Sequence, residues 1–209
     1  MKTMMKAILC LLLAVCPFMP SLAEYWGNDV LEPTYAPGTP EYLCRDGGSY
    51  YGQGQYEFAL DAYQKALEID SSFDNAYYGL AMTYRAMGRL DLAIENYSQV
   101  IRLAPDYAQP YASRAELYQC IGRLDDAEAD LDSFVRLYGQ YPVPYLARGD
   151  FFMKNREYAR AAEDYQAAID RNPKLQEAYL KYAGALLLSN RPEEASTAFA
   201  QAMSLGSDN

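Results

Sequence analysis

Histidine is absent from this 209-residue chain. That removes the side chain best suited to proton transfer near neutral pH, which is also the commonest metal ligand. Tryptophan occurs once and cysteine four times. No Gly-rich phosphate loop is present, no nucleophile–His set can be assembled, and no cysteines stand at metal-ligand spacing. These gaps argue against an enzyme, a cofactor and a metal. Basic residues are also scarce, 18 against 28 acidic, for a formal net charge of −10. Without a basic cluster there is little to neutralise phosphates, which argues against a nucleic-acid partner. Long apolar runs are missing as well. The run from Ala7 to Val15 is nine residues, and a bilayer span needs about 20. What the chain does hold is tyrosine, 21 of them, in a composition that is 51% hydrophobic and able to form a sizeable core.

The first stretch, MKTMMKAILCLLLAVCPFMPSLAEYW, stands apart. Lys2 and Lys6 precede the short apolar run, Pro17 and Pro20 break it, and Ser21-Leu22-Ala23 offers small residues at cleavage-site spacing. This reads as a secretory signal peptide over residues 1–23, cut before Glu24, with the product secreted or periplasmic. A competing reading uses Leu13-Ala14-Val15-Cys16, which is similar to a lipoprotein cleavage box with Cys16 lipidated; Val15 is a poor fit there. Loss of Lys2 and Lys6 leaves 16 basic against 28 acidic residues, a net charge of −12. Residues 24–39 carry Pro33, Pro37 and Gly38 without any period and read as a linker or arm, with Trp26 available to pack on the fold or on a partner.

From Pro40 onward a 34-residue ruler fits without a gap, giving blocks 40–73, 74–107, 108–141, 142–175 and 176–209. The fourth place holds Leu43, Tyr77, Tyr111, Tyr145 and Tyr179. The eighth holds Gly47, Ala81, Ala115, Gly149 and Ala183, and the eleventh Tyr50, Tyr84, Tyr118, Phe152 and Leu186. The twentieth is alanine every time: Ala59, Ala93, Ala127, Ala161 and Ala195. The twenty-fourth holds Tyr63, Tyr97, Leu131, Tyr165 and Phe199, and the twenty-seventh Ala66, Val100, Phe134, Ala168 and Ala202. Both sets have helical spacing, so each block predicts two amphipathic helices. Gly54, Gly88 and Gly122 fall at the joint between them, where a tight turn favours a residue without a Cβ.

On these places the sequence resembles the tetratricopeptide repeat (TPR) family, whose 34-residue pattern is W-x₂-L-G-x₂-Y…A-x₃-F…P. Tyr77, Leu80, Ala81, Tyr84, Ala93, Tyr97 and Pro105 carry the resemblance best. It implies an all-α, right-handed α-solenoid of five helix hairpins, about ten antiparallel helices, over residues 40–209. Stacked blocks then bury apolar stripes that no single block can cover.

The departures from the pattern carry further expectations. Place seven is Arg114 and Arg148 only in the two blocks whose twenty-third place is Asp130 and Asp164. Facing places in an antiparallel hairpin keep a constant sum, so the pairs Arg114–Asp130 and Arg148–Asp164 are expected. Gly47, Gly48, Gly52 and Gly54 predict a frayed first helix. Cys44 and Cys120 lie two stacking steps apart, roughly 16–20 Å, beyond the Cα separation of about 7 Å that a disulfide allows, and are expected as free thiols. Leu180, Leu187 and Leu188 either pack inside the last block or lie near an uncovered end, where they would serve an end-to-end dimer or a partner.

The resemblance implies a concave groove lined by the first helices, holding a peptide or helix of another protein. Carried over by place, the groove residues are Asn75, Tyr78, Met82 and Arg85; Gln109, Ser113, Glu116 and Gln119; and Leu146, Asp150 and Met153. One subgroup clamps a C-terminal carboxylate with Lys and Asn at groove places that here hold Tyr78, Met82 and Ala112, which argues against that mode. The acidic balance favours a neutral or modestly basic ligand. Two functions follow: a secreted or periplasmic scaffold for a protein partner, or an envelope-anchored assembly subunit that self-associates through its last repeat.

Overall fold

A computed structural model describes residues 35–207. The signal-peptide, Cys16 and Trp26 expectations lie outside the described residues. Ten helices follow one another: α1 Pro40–Gly52, α2 Tyr56–Ile69, α3 Asp74–Ala86, α4 Leu90–Leu103, α5 Ala108–Cys120, α6 Leu124–Tyr138, α7 Val143–Lys154, α8 Tyr158–Arg171, α9 Gln176–Leu188 and α10 Pro192–Ser207. No strand occurs among the described residues. Each odd-numbered helix packs on the even-numbered one that follows it, and each even-numbered helix from α2 to α8 packs on the next odd-numbered one. The fold is an α-solenoid of five hairpins.

The turns inside the hairpins share one device. Place fifteen is left-handed in every block: Gly54 (φ 74°), Gly88 (73°), Gly122 (77°), Arg156 (64°) and Asn190 (61°). At α3 the Gly88 N–H donates to the Arg85 carbonyl at 3.0 Å and the Arg89 N–H to the Tyr84 carbonyl at 2.9 Å. These bonds satisfy carbonyls that the helix end leaves open. Arg156 carries a Cβ in this conformation, which costs about 1–2 kcal/mol. Arg156→Gly is therefore expected to stabilise the protein by about 0.5–1 kcal/mol after the extra entropy of an unfolded glycine. Thermal unfolding followed by circular dichroism checks this; an unchanged or lower midpoint would contradict it.

The alanines at place twenty are buried in all five blocks, where the two helices of a hairpin touch. The Tyr63 ring at place twenty-four lies against the first helix of its own block and that of the next. A Cβ on Gly79 would stand 2.3 Å from the Tyr63 ring, and one on Gly47 2.7 Å from it. Gly149 is held the same way by Tyr165, at 2.6 Å. Glycine at these points makes room for a tyrosine. This corrects the expectation of a frayed first helix: α1 runs unbroken, with Thr39 Oγ1 accepting from the Tyr42 N–H at 3.3 Å as its cap, because Gly47 is a packing contact.

Two ion pairs tie first to second helices. Arg114 grips Asp130 with Nε and Nη2 at 2.8 and 2.7 Å, and its Nη1 donates to Ser98 Oγ at 2.8 Å. Arg148 grips Asp164 in the same two-pronged way at 2.9 and 2.7 Å, and adds Asp132 of the previous block at 2.7 Å. Asp130 and Asp164 are only 5% and 4% exposed. In the fifth block the corresponding residues are Tyr182 and Ala198, and a shallow cleft of about 400 Å³ opens there beside Gln166 and Gln201.

Cys44 and Cys120 are free. Burial, with Glu41 nearby, pushes the Cys44 thiol up to about 12, so it stays protonated and unreactive. At place twenty-four Tyr63, Tyr97, Leu131 and Tyr165 are buried, whereas Phe199 is 53% exposed. The described residues contain no first helix after α10 to cover it. The end surface is formed by Phe199 and Met203, and this corrects the expectation for the leucines. Leu180, Leu187 and Leu188 point the other way, because places five, twelve and thirteen of a first helix face away from its second helix.

Candidate partner-binding site

The faces of α3, α5, α7 and α9 that turn away from the second helices form the inner surface. Two ion pairs bridge it from block to block. Arg85 Nη1 on α3 meets Glu116 on α5 at 3.2 Å. Lys181 Nζ on α9 meets both oxygens of Asp150 on α7, at 2.7 and 2.6 Å.

The surface has two halves of different chemistry. Between α3 and α5 it is aromatic and polar. The Tyr78 ring stands edge-on to Tyr97, centroids 5.6 Å apart, and leans on Tyr107 at the same separation. Met82 packs on the cluster of Ala81, Ala93, Tyr97 and Leu117. Asn75, Arg85 and Glu116 are exposed; Gln109 and Gln119 are half-buried. Ser113 is 4% exposed and does not line the groove as expected, because place six turns toward the preceding block. Tyr78 thus belongs to the floor and Arg85 and Glu116 to the rim.

Between α7 and α9 the surface is apolar. Leu146 and Met153 pack against the main core cluster, half-buried. Leu180, Leu187 and Leu188 are 43%, 59% and 55% exposed, and Val143 is 56% exposed. Gly184 lies among the leucines, one turn after Leu180, and a Cβ built there meets nothing within 4 Å. Neither a turn nor a neighbour in the fold calls for that glycine. It leaves a notch between leucines where another backbone can approach. Asp150 is less free than its place suggests, since it accepts from the Tyr165 hydroxyl at 2.7 Å as well as from Lys181.

Sequence reasoning missed Tyr97, Tyr165, Lys181 and Gly184 as contributors to this surface. Tyr97 and Tyr165 were legible only as core residues; the hint was the hydroxyl, which a core position does not need. The leucine spacing of three and four residues around Gly184 was the signal for the apolar half.

Burial of the phenols shifts their ionisation. Burial, followed by Tyr78, pushes Tyr97 up to about 12. Burial likewise raises Tyr63, Tyr78 and Tyr165. A folded-state pKa above the unfolded value of about 10 means that the stabilisation is intact below pH 10 and is lost as pH rises through the folded values. Tyr97 alone accounts for about 2–3 kcal/mol of this loss by pH 12. Absorbance titration of the phenolates should therefore show these tyrosines ionising together with unfolding. Smooth titration near pH 10 with the helical signal intact would contradict it.

The TPR family models match residues 47–84, 75–107 and 152–208, described as TPR repeat for the first and tetratricopeptide repeat for the other two. The chain is a TPR protein. Solved structures agree on the fold. A crystal structure of MamA is 23% identical, with a TM-score of 0.70 over 79% of this chain and 91% of that one. MamA from Desulfovibrio magneticus RS-1 is 15% identical, with a TM-score of 0.69 over 81% and 96%. YrrB, described as a TPR protein with an unusual peptide-binding site, is 18% identical, with a TM-score of 0.64 over 80% and 87%. No curated protein matches the chain. Among the described residues no helix is long and apolar enough to cross a membrane, and no group of three or more His, Cys, Asp or Glu could hold a metal.

Proposed function

We propose that this TPR protein is an exported adaptor that holds a segment of a protein partner on its inner surface. The observation that carries the reading is the apolar half of that surface, with Leu180, Leu187 and Leu188 exposed around the Gly184 notch. Exposed leucines spaced along one helix face are costly to leave in water, about 25 cal/mol per Å² of apolar area. YrrB, of the same fold, has a peptide-binding site. Export rests on the residue 1–23 pattern, and the mature chain should begin at Glu24, which intact-mass measurement checks; a lipid-shifted mass starting at Cys16 would replace it.

The deciding experiment is affinity purification from the secretory compartment with wild type and with Leu180→Arg/Leu187→Arg. Both leucines are exposed, so the variant folds, as circular dichroism will verify. A partner held by wild type and lost by the variant supports the inner surface. A partner held equally by both removes it. A second reading, self-association, is favoured by exposed Phe199 and Met203 on α10. It predicts a concentration-dependent dimer in sedimentation that Phe199→Ser abolishes, and fails if wild type sediments as a monomer throughout.

A further inference from the structure

The seam between neighbouring second helices changes character at the last block. Between α6 and α8 three arginines cross it. Arg148 holds Asp164 of its own block and reaches Asp132 of the block before at 2.7 Å. Arg160 on α8 pairs with Glu128 on α6. Arg171 lies over the Tyr145 ring, 4.2 Å from its centroid, and donates to the Tyr145 hydroxyl at 2.6 Å and the Gly139 carbonyl at 3.0 Å. Between α8 and α10 the same three places hold Tyr182, Glu194 and Leu205, and none supplies a cation. The two acids around Arg148 are replaced as well, Asp164 by Ala198 and Asp132 by Gln166. Glu194 does not cross the seam, because Arg191, three residues before it, holds it at 2.7 and 2.5 Å. The seam therefore stays open, and the cleft of about 400 Å³ lies there. The half-buried rings of Tyr179 and Tyr182 on α9 form its base, between Gln166 on α8 and Thr197 and Gln201 on α10.

The residues of this cleft limit what it can hold. An arginine and two aspartates have given way to a phenol, a methyl group and an amide, so nothing at the base matches a cation or an anion. A partner's arginine would find no acid at places twenty-three and twenty-five to hold it as Asp164 and Asp132 hold Arg148. The amides and hydroxyls that remain both donate and accept, as the hydroxyls of a sugar do. Gln166 Nε2 donates to Asp170 at 3.0 Å, which leaves its Oε1 as an acceptor. Thr197 Oγ1 donates to the Glu193 carbonyl at 3.2 Å and keeps its lone pairs for a ligand. The Gln201 side chain makes no hydrogen bond to another described residue. A tyrosine ring adds an apolar face with a polar tip, which suits the C–H face of a pyranose; a lone amide would leave that face bare. The cleft is at the small end of ligand pockets, about 300–1,000 Å³, which is room for a sugar ring. We propose that the seam between α8 and α10 is a second binding site, for a neutral saccharide, in which Tyr182 stacks on the ring and Gln166, Thr197 and Gln201 pair with its hydroxyls. The site shares no residue with the inner surface and does not depend on the adaptor reading. A free sugar and the end of a larger glycan share this chemistry.

Methyl glycosides are the probe. The side-chain amide resonances of Gln166 and Gln201 are followed by NMR during titration with the methyl glycosides of glucose, galactose, mannose and N-acetylglucosamine. Glycerol, acetamide and guanidinium chloride serve as controls. Saturable shifts with at least one glycoside are expected, at concentrations on the order of millimolar because the cleft is shallow, and no saturation with the controls. Gln201→Ala should weaken the response about fivefold, the loss of one neutral hydrogen bond. Tyr182→Arg/Ala198→Asp installs the block-four pair and should abolish the response with the helical signal kept. Tyr182→Leu removes the ring and should weaken the response about tenfold, which keeps the test decisive where the pair variant does not fold. No saturable response to any glycoside, saturation by a control as strong as by a glycoside, or an unchanged response in Tyr182→Leu overturns the site. Leu180→Arg/Leu187→Arg should leave the response unchanged; its loss there would move the binding to the inner surface and overturn the outer site. An oligosaccharide carrying the preferred sugar at its end then separates the sources. Tighter binding than the methyl glycoside assigns a glycan, and equal or weaker binding a free sugar.

Discussion

Asp164→Ala should destabilise the protein by about 3–5 kcal/mol, because it leaves Arg148 with a half-buried guanidinium and without its two-pronged partner. Asp164 is 4% exposed and Arg148 22%, so solvent cannot readily replace the lost carboxylate. The hydrogen bonds to Asp164, followed by those to Asp132, outweigh burial and hold the Arg148 pKa above its ordinary value, so the guanidinium cannot escape the penalty by losing its proton. Asp132 remains as a second partner at 2.7 Å, but it is 55% exposed and belongs to the preceding block. The loss should therefore fall at the lower end of the range, and Asp132→Ala alone should cost below about 1 kcal/mol. A double-mutant cycle with Arg148→Met reads the coupling directly. Additive effects of Asp164→Ala and Arg148→Met would show that the pair contributes geometry without energy. The same cycle on Arg114 and Asp130 should give a similar coupling, since Ser98 there occupies the position of Asp132.

Tyr165→Ala is expected to cost about 3–5 kcal/mol, as for a large aromatic removed from a packed core. The ring is 1% exposed and lies against Gly149 so closely that a Cβ there would stand 2.6 Å away. Tyr165→Phe isolates the hydroxyl and should cost about 1–2 kcal/mol, because Asp150 loses a charge-assisted bond but keeps Lys181. Tyr97→Phe should cost less. Its hydroxyl is approached only by Ser113 and Arg85, with no well-formed bond to either, so its removal should cost below about 1 kcal/mol. Thermal or urea unfolding of the two phenylalanine variants decides this. Equal destabilisation by both would mean that the Tyr97 hydroxyl is held as firmly as that of Tyr165.

The pairs Arg114–Asp130 and Arg148–Asp164 could be read from the chain because a helix hairpin is local. Its short turn, made the same way at Gly54, Gly88, Gly122, Arg156 and Asn190, sets which places face each other. The same reasoning misjudged α1, where glycine was read as a loss of helix propensity. Propensity describes an isolated helix; Gly47 is occupied by the Tyr63 ring, and packing overrides it. Ser113 was placed on the groove because its helical angle lies at the border between the groove and the preceding block. The neighbour, which the angle does not describe, covers it.

The 34-residue period, the alanines of place twenty and the aromatic places by themselves determined that this chain is a stack of helix hairpins, because local helical spacing and turn residues specify each copy and one copy cannot bury its own apolar stripe. What lies between copies was decided only in three dimensions. The step from one hairpin to the next brings Lys181 to Asp150, Glu116 to Arg85 and Ser98 to Arg114, and turns Leu180 and Leu187 outward around an empty notch. Each of these depends on a rotation and offset between neighbouring hairpins that no residue spacing encodes.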